Sequence, residues 1–292
     1  MNTPRWIVCK SFLDKCPPQK RQALLQYVSP SDRDALRHLP KPFQDPSEMS
    51  EDASDVLNRI HPSWFSSFLR AYTETEIVLF LSALPENFAD KLRKELFFTK
   101  PLQKLPEFTK KYLQDLLLHT LFEFSSAPLP RGLLPESPLN PLLSLYPDEM
   151  QTVIELLSMQ DLGFEMRLII DNTKLKGIQN ILSNVEKTYL RSLSLQKQTL
   201  SFGKAFLQEW DGEEESLRKH LLHRGMNRFA KACYGMSPDF LWYIQHELEI
   251  DKSKLFTKLC VKQQNPQIVE ILIAQILDIV SYLKNSKTSR SL

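Results

Sequence analysis

Short apolar runs at three- and four-residue spacing, separated by polar breaks, recur along most of this chain. From Ile60-His61-Pro62-Ser63 the pattern passes through Leu69, Val78, Phe80 and Leu81 to Leu84-Pro85-Glu86. It predicts two short amphipathic helices broken at Thr73-Glu74-Thr75-Glu76 and a third starting at Pro85. Proline loses nothing in a first helical turn, and Glu86 follows at the positive end of the dipole. Farther on, Leu175, Ile178, Ile181, Leu182 and Val185 form one helical stripe. A helix opens after Trp210-Asp211-Gly212 with Glu213, Glu214 and Glu215 in its first turn and Leu217, Leu221 and Leu222 along it. Arg224-Gly225 reads as its stop, because glycine suits the left-handed residue beyond a helix. Phe229, Ala232 and Cys233 then carry a separate short helix to Tyr234-Gly235-Met236. Ser237-Pro238-Asp239 caps another with Phe240, Ile244 and Leu248 inward, and Asn265-Pro266 starts the last, Ile268–Leu283.

Helices this short cannot each bury an apolar stripe alone, so they must stack on neighbours. A loose echo supports stacking. In three places an apolar helix end, a tyrosine and an acidic polar cap precede a second apolar helix: around Tyr27, Tyr72 and Tyr146. The expectation is an all-α fold of armadillo/HEAT-like stacked units, an architecture that mostly builds binding surfaces.

Two proline-rich stretches divide the chain of 292 residues. They predict a helical piece at 1–40, a linker at 41–55, a helical unit at 56–124, a second linker at 125–141, a helical domain at 142–284 and a frayed tail at 285–292. Glycine is scarce, seven residues where roughly twenty is average, and no Gly-rich phosphate loop occurs. A net charge of +2 with acids and bases interspersed argues against nucleic acid. Cys9, Cys16, Cys233 and Cys260 lack C-x-x-C spacing and read as reduced thiols. No signal-like segment opens the chain, and Ile268–Leu283 is interrupted by Glu270, Gln275 and Asp278 and shorter than the roughly twenty residues of a membrane span. The expectation is a soluble, cytoplasmic protein.

No catalytic constellation stands out. His220 and His223 supply at most half a metal site, with Glu213 or Glu247, and the H-E-x-x-H spacing is missing. His38, His119 and His246 have no nucleophile at motif spacing, and no G-x-S-x-G occurs. The expected roles are neither enzymatic nor metal- or cofactor-dependent.

The order of these motifs resembles the flagellar motor switch protein FliG family over roughly 60–124 and 173–283. His61-Pro62-Ser63 and Ser82-Ala83-Leu84-Pro85-Glu86 resemble the His-Pro-Gln loop and Leu-Pro-Glu helix end of its middle domain. Leu175-Lys176-Gly177-Ile178-Gln179-Asn180-Ile181-Leu182-Ser183 is similar to its C-terminal armadillo helix. Glu213-Glu214-Glu215-Ser216-Leu217-Arg218 lines up with its torque helix, and Ala232-Cys233-Tyr234-Gly235 with its Ala-Leu-Lys-Gly turn. The chain departs from the family at Ser63 in place of glutamine, Ile60 in place of an acid, Glu215 in place of arginine and Leu222 where a later arginine stands. Residues 125–172 look like an insertion.

The resemblance implies a scaffold or adaptor in the cytoplasmic ring of a bacterial type III secretion or flagellar apparatus. Its partners would be ring and platform proteins, with self-assembly in a ring and only indirect contact with membrane. The expected partner-binding residues are His61, Pro62 and Ser63 in the loop the resemblance implies, Trp64 and Phe65 beside it as aromatic anchors, and Glu213, Glu214 and Leu217 on the later helix, where the acids would form a docking strip. Each has a plainer reading: Pro62 as a helix start, Trp64 and Phe65 as core, the acids as dipole partners in a first turn. The alternative function is a freestanding helical-repeat binding module, such as a chaperone or regulator.

Overall fold

The polar breaks in the sequence are helix caps. Thr73 Oγ1 accepts the Glu76 N–H at 3.4 Å while Glu76 Oε2 accepts the Thr73 N–H at 2.8 Å, a reciprocal box that starts a helix at Glu74. The Thr73 hydroxyl, donating to Glu76 Oε2 at 2.7 Å, and then the Thr73 N–H hold the Glu76 carboxyl below its usual pKa. Ser29 and Ser237 cap others, each followed by proline at the first helical position.

A computed structural model describes residues 3–39, 52–122, 128–194, 207, 210–263 and 265–288. Among these residues the chain is all-α, with no β-strand. The helices before residue 145 are α1 (Thr3–Lys15), α2 (Pro18–Leu25), α3 (Pro30–His38), α4 (Ala53–Leu57), α5 (Ser63–Leu69), α6 (Glu74–Ala83), α7 (Glu86–Leu96) and α8 (Glu107–Phe122). Those that follow are α9 (Pro147–Met166), α10 (Asn172–Ile181), α11 (Asn184–Ser194), α12 (Glu214–Cys233), α13 (Pro238–Glu247), α14 (Ile250–Leu259) and α15 (Pro266–Thr288). Two compact units contain them: residues 1–144 with 236–250, and residues 145–235 with 251–292.

In the first unit α5, α6 and α7 pack around Phe65, Leu69, Leu81 and Leu92, with the Phe65 and Phe88 rings edge to face at 5.8 Å. α8 lies against α4 and α6, and Gln114 Nε2 donates to Ala83 O at 2.6 Å. The piece expected at 1–40 forms α1 to α3, with Ile7, Leu13 and Leu36 inward. Of the expected linker 41–55, residues 40–51 lie outside the description and α4 begins at Ala53.

The expected linker at 125–141 is not a solvated spacer from residue 128 onward. Leu129, Leu133, Leu134 and Leu139 are buried, and tight turns at Arg131–Leu133 and Asn140–Ser144 follow one another. The prolines fix an extended path between leucines that point inward; a count of prolines alone hides those leucines. The strap is held by α13: Asp239 Oδ1 accepts the Leu129 N–H at 3.1 Å, and Tyr243 Oη donates to Leu129 O at 2.9 Å. Residues 236–250, expected in the 142–284 domain, therefore group with the first unit.

In the second unit α9 is the hub, packed on by α11, α12 and α15. It is buried on most sides, through Met150, Val153, Ile154, Leu157 and Leu162 and also through the polar Gln160, Asp161 and Glu165, as a helix enclosed by others is. The apparent insertion 125–172 thus contributes the centre of this unit.

The stop expected at Gly225 is absent, since α12 runs unbroken from Glu214 to Cys233. Gly225 is where α12 touches α9: a Cβ there would sit 2.0 Å from Ile154 O. Its missing side chain serves close approach and not a left-handed turn; the turn residue is Gly235, at φ +85°. The stripe expected over 175–185 divides in two at Leu182. Ser183 and Glu186 form a second reciprocal cap that starts α11, and Val185 is exposed. α15 is also longer than expected. Over Pro266–Asn285 it is long and apolar enough to cross a membrane, with mean hydropathy 1.5, yet it packs on α9 and α12 through Leu272, Ile276, Ile279 and Val280. In the expected tail, α15 continues to Thr288 and residues 289–292 lie outside the description.

Candidate functional site

The loop at 60–65 is stitched to the end of α13. The His61 N–H donates to His246 O at 2.7 Å, and Trp64 Nε1 donates to Leu248 O at 2.9 Å. His61 Nδ1 accepts the Ser63 N–H at 3.2 Å and lies 2.9 Å from Ser63 Oγ, which in turn accepts the Ile250 N–H at 3.2 Å. Pro62 and Phe65 are buried, while His61, Ser63 and Trp64 are half-buried. The polar contacts of this loop run to its own chain. Pro62 precedes α5, and Phe65 is core.

Below the loop the His246 imidazole sits between two indoles, its ring centre 4.2 Å from Trp64 and 4.0 Å from Trp242. Its Nδ1–H donates to Trp242 O at 2.7 Å. Burial drives its pKa down to about 4, against the opposing pull of that carbonyl. A neutral imidazole between aromatic faces is a packing element here, not a base aimed at open space. The sequence hint was Trp242 and His246 at i and i+4 on one helical face.

The second unit holds a ladder of buried charges that sequence reading missed. Arg228 clamps Asp161 in a fork, Nε to Oδ2 at 2.8 Å and Nη2 to Oδ1 at 2.7 Å, and its Nη1 donates to Gln275 Oε1 at 2.9 Å. One turn away Arg224 Nη2 meets Glu165 Oε1 at 2.8 Å, and Glu165 Oε2 accepts the Leu207 N–H at 3.0 Å. His220 Nε2 accepts from Arg224 Nε at 3.0 Å. Burial first, then the Arg224 charge, lowers the His220 pKa to about 4. That imidazole is occupied as an acceptor, so the half metal site with His223 is not assembled at this nitrogen. The signal was present as acids at i, i+4 on α9 and His/Arg/Arg at i, i+4, i+8 on α12.

The ladder encloses a void of about 10 Å3 beside Glu165, His220 and Arg224, no larger than a single water. It locks α9, α12 and α15 in one register and offers no substrate-sized opening. On the first unit a shallow groove of about 430 Å3 runs over Leu81, Leu84, Ala89 and Leu102, with Asp90 and Lys110 at its rim. No group of three or more metal-ligating side chains occurs among the described residues.

Glu213 and Glu214 are exposed at the start of α12, and Leu217 is fully buried. Hydrogen bonds define the start: Gly212 at φ +95° turns the chain, Asp211 Oδ1 accepts the Glu213 N–H at 3.0 Å, and Trp210 Nε1 donates to Glu213 O at 3.0 Å. Leu217 faces the core because it lies one helical turn below Leu221 on the packed side. It has no surface to give a partner, whereas the two acids do. The next basic residue, Arg218, is drawn inward to Glu186, Nη1 to Oε1 at 2.8 Å. No family model, characterised protein or solved structure matches the chain.

Proposed function

We propose that the chain is a non-enzymatic scaffold that holds other proteins through helical surfaces, a FliG-like adaptor in the cytoplasmic ring of a bacterial type III secretion or flagellar apparatus. The observation that carries the reading is how ionisable groups are used. Asp161, Glu165, Arg224 and Arg228 are buried against one another and serve helix packing. Glu213 and Glu214 stand exposed beside a hydrogen-bonded turn at the residues that resemble a docking helix. Stacked helices of armadillo type would present those acids to basic residues of a ring or platform protein. Each exposed pair is worth at most about 1 kcal/mol, enough to orient an assembly and too little to hold it alone.

The test is affinity capture of ring and platform proteins by the chain and by a Glu213→Lys/Glu214→Lys variant. Capture by the parent and loss in the variant, with unchanged melting, supports the docking role. Equal capture by both removes the role from these acids.

A second reading, a freestanding helical binding module, is favoured by the 61–65 loop. In the resemblance that loop is open to a partner; here its polar groups are engaged with residues 246–250. Capture of no ring component, with the chain folded, would favour this reading.

A further inference from the structure

α8 turns one side to the unit core through Leu117 and Leu118 and leaves an apolar stripe on the other. Phe108 is 84% exposed, Tyr112 61% and Leu116 39%, at i, i+4 and i+8. Such spacing places all three along one line of the helix. Lys111 and Asp115, both exposed, flank the same line one turn apart.

We propose that this face pairs with the same face of a second copy, two α8 helices lying antiparallel across a two-fold axis at Tyr112. The order of residues is self-complementary under that operation. Phe108 of one copy meets Leu116 of the other, and Tyr112 meets itself. Lys111 lies one residue before the axis and Asp115 three after, so each lysine comes within two residues' rise, about 3 Å along the helix, of the opposite aspartate. An isologous contact needs this mirrored order; a single-sign flank would repel itself. The two aromatic rings expose roughly 250 Å2 per copy, against about 800 Å2 per partner in a stable interface. The pairing is accordingly weak and closes at two copies. It does not depend on the scaffold reading, since an isologous pair builds no ring.

The test is sedimentation velocity of the full chain from about 10 μM to about 1 mM, the range in which so small a contact populates a dimer. The expected result is a monomer–dimer equilibrium. Lys111→Asp and Asp115→Lys each place like charges opposite and should each weaken dimerisation roughly tenfold. Mixing the two variants restores opposite charges in a mixed dimer and should restore the affinity. Tyr112→Ser, which keeps both charges, should also weaken pairing, and circular dichroism of each variant checks that α8 is intact. A monomer across the whole range, a dimer indifferent to all three substitutions, or a mixture no tighter than its components overturns the proposal. So does recovery of monomer with another protein seated on Tyr112.

Discussion

Arg228 and Asp161 meet through two short hydrogen bonds, at 2.7 and 2.8 Å, with side chains 0% and 2% exposed. A charge pair removed from water gains little over an apolar pair of the same volume, yet losing one partner strands the other in a medium that cannot solvate it. Arg228→Met should therefore destabilise the chain by about 3–5 kcal/mol, read as a lower urea midpoint. Adding Asp161→Leu to Arg228→Met should recover most of the loss. A double variant no better than the single one would mean that the fork, not relief of the stranded acid, supplies the stability.

Gly225 and Gly177 both lie inside helices and should respond oppositely to alanine. At Gly225 the new carbon meets the Ile154 carbonyl oxygen at 2.0 Å, backbone that cannot swing aside. Gly225→Ala should cost about 3 kcal/mol or more by forcing α12 away from α9. At Gly177 the nearest neighbour is Trp210, whose Cη2 would be 3.7 Å away, an ordinary contact. Gly177→Ala should be neutral or stabilise by up to about 1 kcal/mol through helix propensity. Thermal melts of the two variants decide it.

These glycines also mark what sequence could and could not supply. Caps written in local chemistry were legible: Ser237-Pro238 starts α13, and the acids from Glu213 on open α12. Ser183 and Glu186 at cap spacing carried the same kind of signal, but the stripe through Leu182 and Val185 overrode it. Gly225 failed because a glycine suits a helix end and a helix crossing equally, and only a neighbour 71 residues away in sequence, Ile154, decides which. The charge ladder failed for a related reason. Asp161 and Arg228 look like surface residues until the helices that cover them are placed. The loop at 60–65 stood out in the sequence, but its hydrogen-bond partners His246, Leu248 and Ile250 did not, since they come from a distant part of the chain.

Acid should destabilise the first unit through His246. Its imidazole stays neutral in the fold down to about pH 4, whereas in the unfolded chain it takes up a proton near its ordinary 6.5. The unfolded state therefore binds more protons between those limits, and stability falls as pH drops from about 6.5 to about 4. For this mostly buried ring the full loss is about 3 kcal/mol. His246→Phe, which keeps a ring between Trp64 and Trp242, should flatten that part of the stability–pH curve. An unchanged slope in the variant would place the acid sensitivity elsewhere, His220 being the other ring with a pKa lowered to about 4.

Phe97 ends α7 in the left-handed region at φ +53° with its ring 88% exposed. A side chain in that conformation costs roughly 1–2 kcal/mol, which glycine escapes. Phe97→Gly should raise the unfolding free energy by about 1 kcal/mol in urea titrations. A destabilised Phe97→Gly variant would show that the ring makes contacts worth more than the strain.

Whether the chain engages the proteins of a secretion or flagellar ring is tested most directly by isothermal titration against the purified inner-membrane-ring and platform proteins. Saturable, salt-sensitive binding to at least one of them, weakened by Glu213→Lys/Glu214→Lys while the urea midpoint holds, is the predicted result. A folded chain that binds none of them at any attainable concentration would contradict the account.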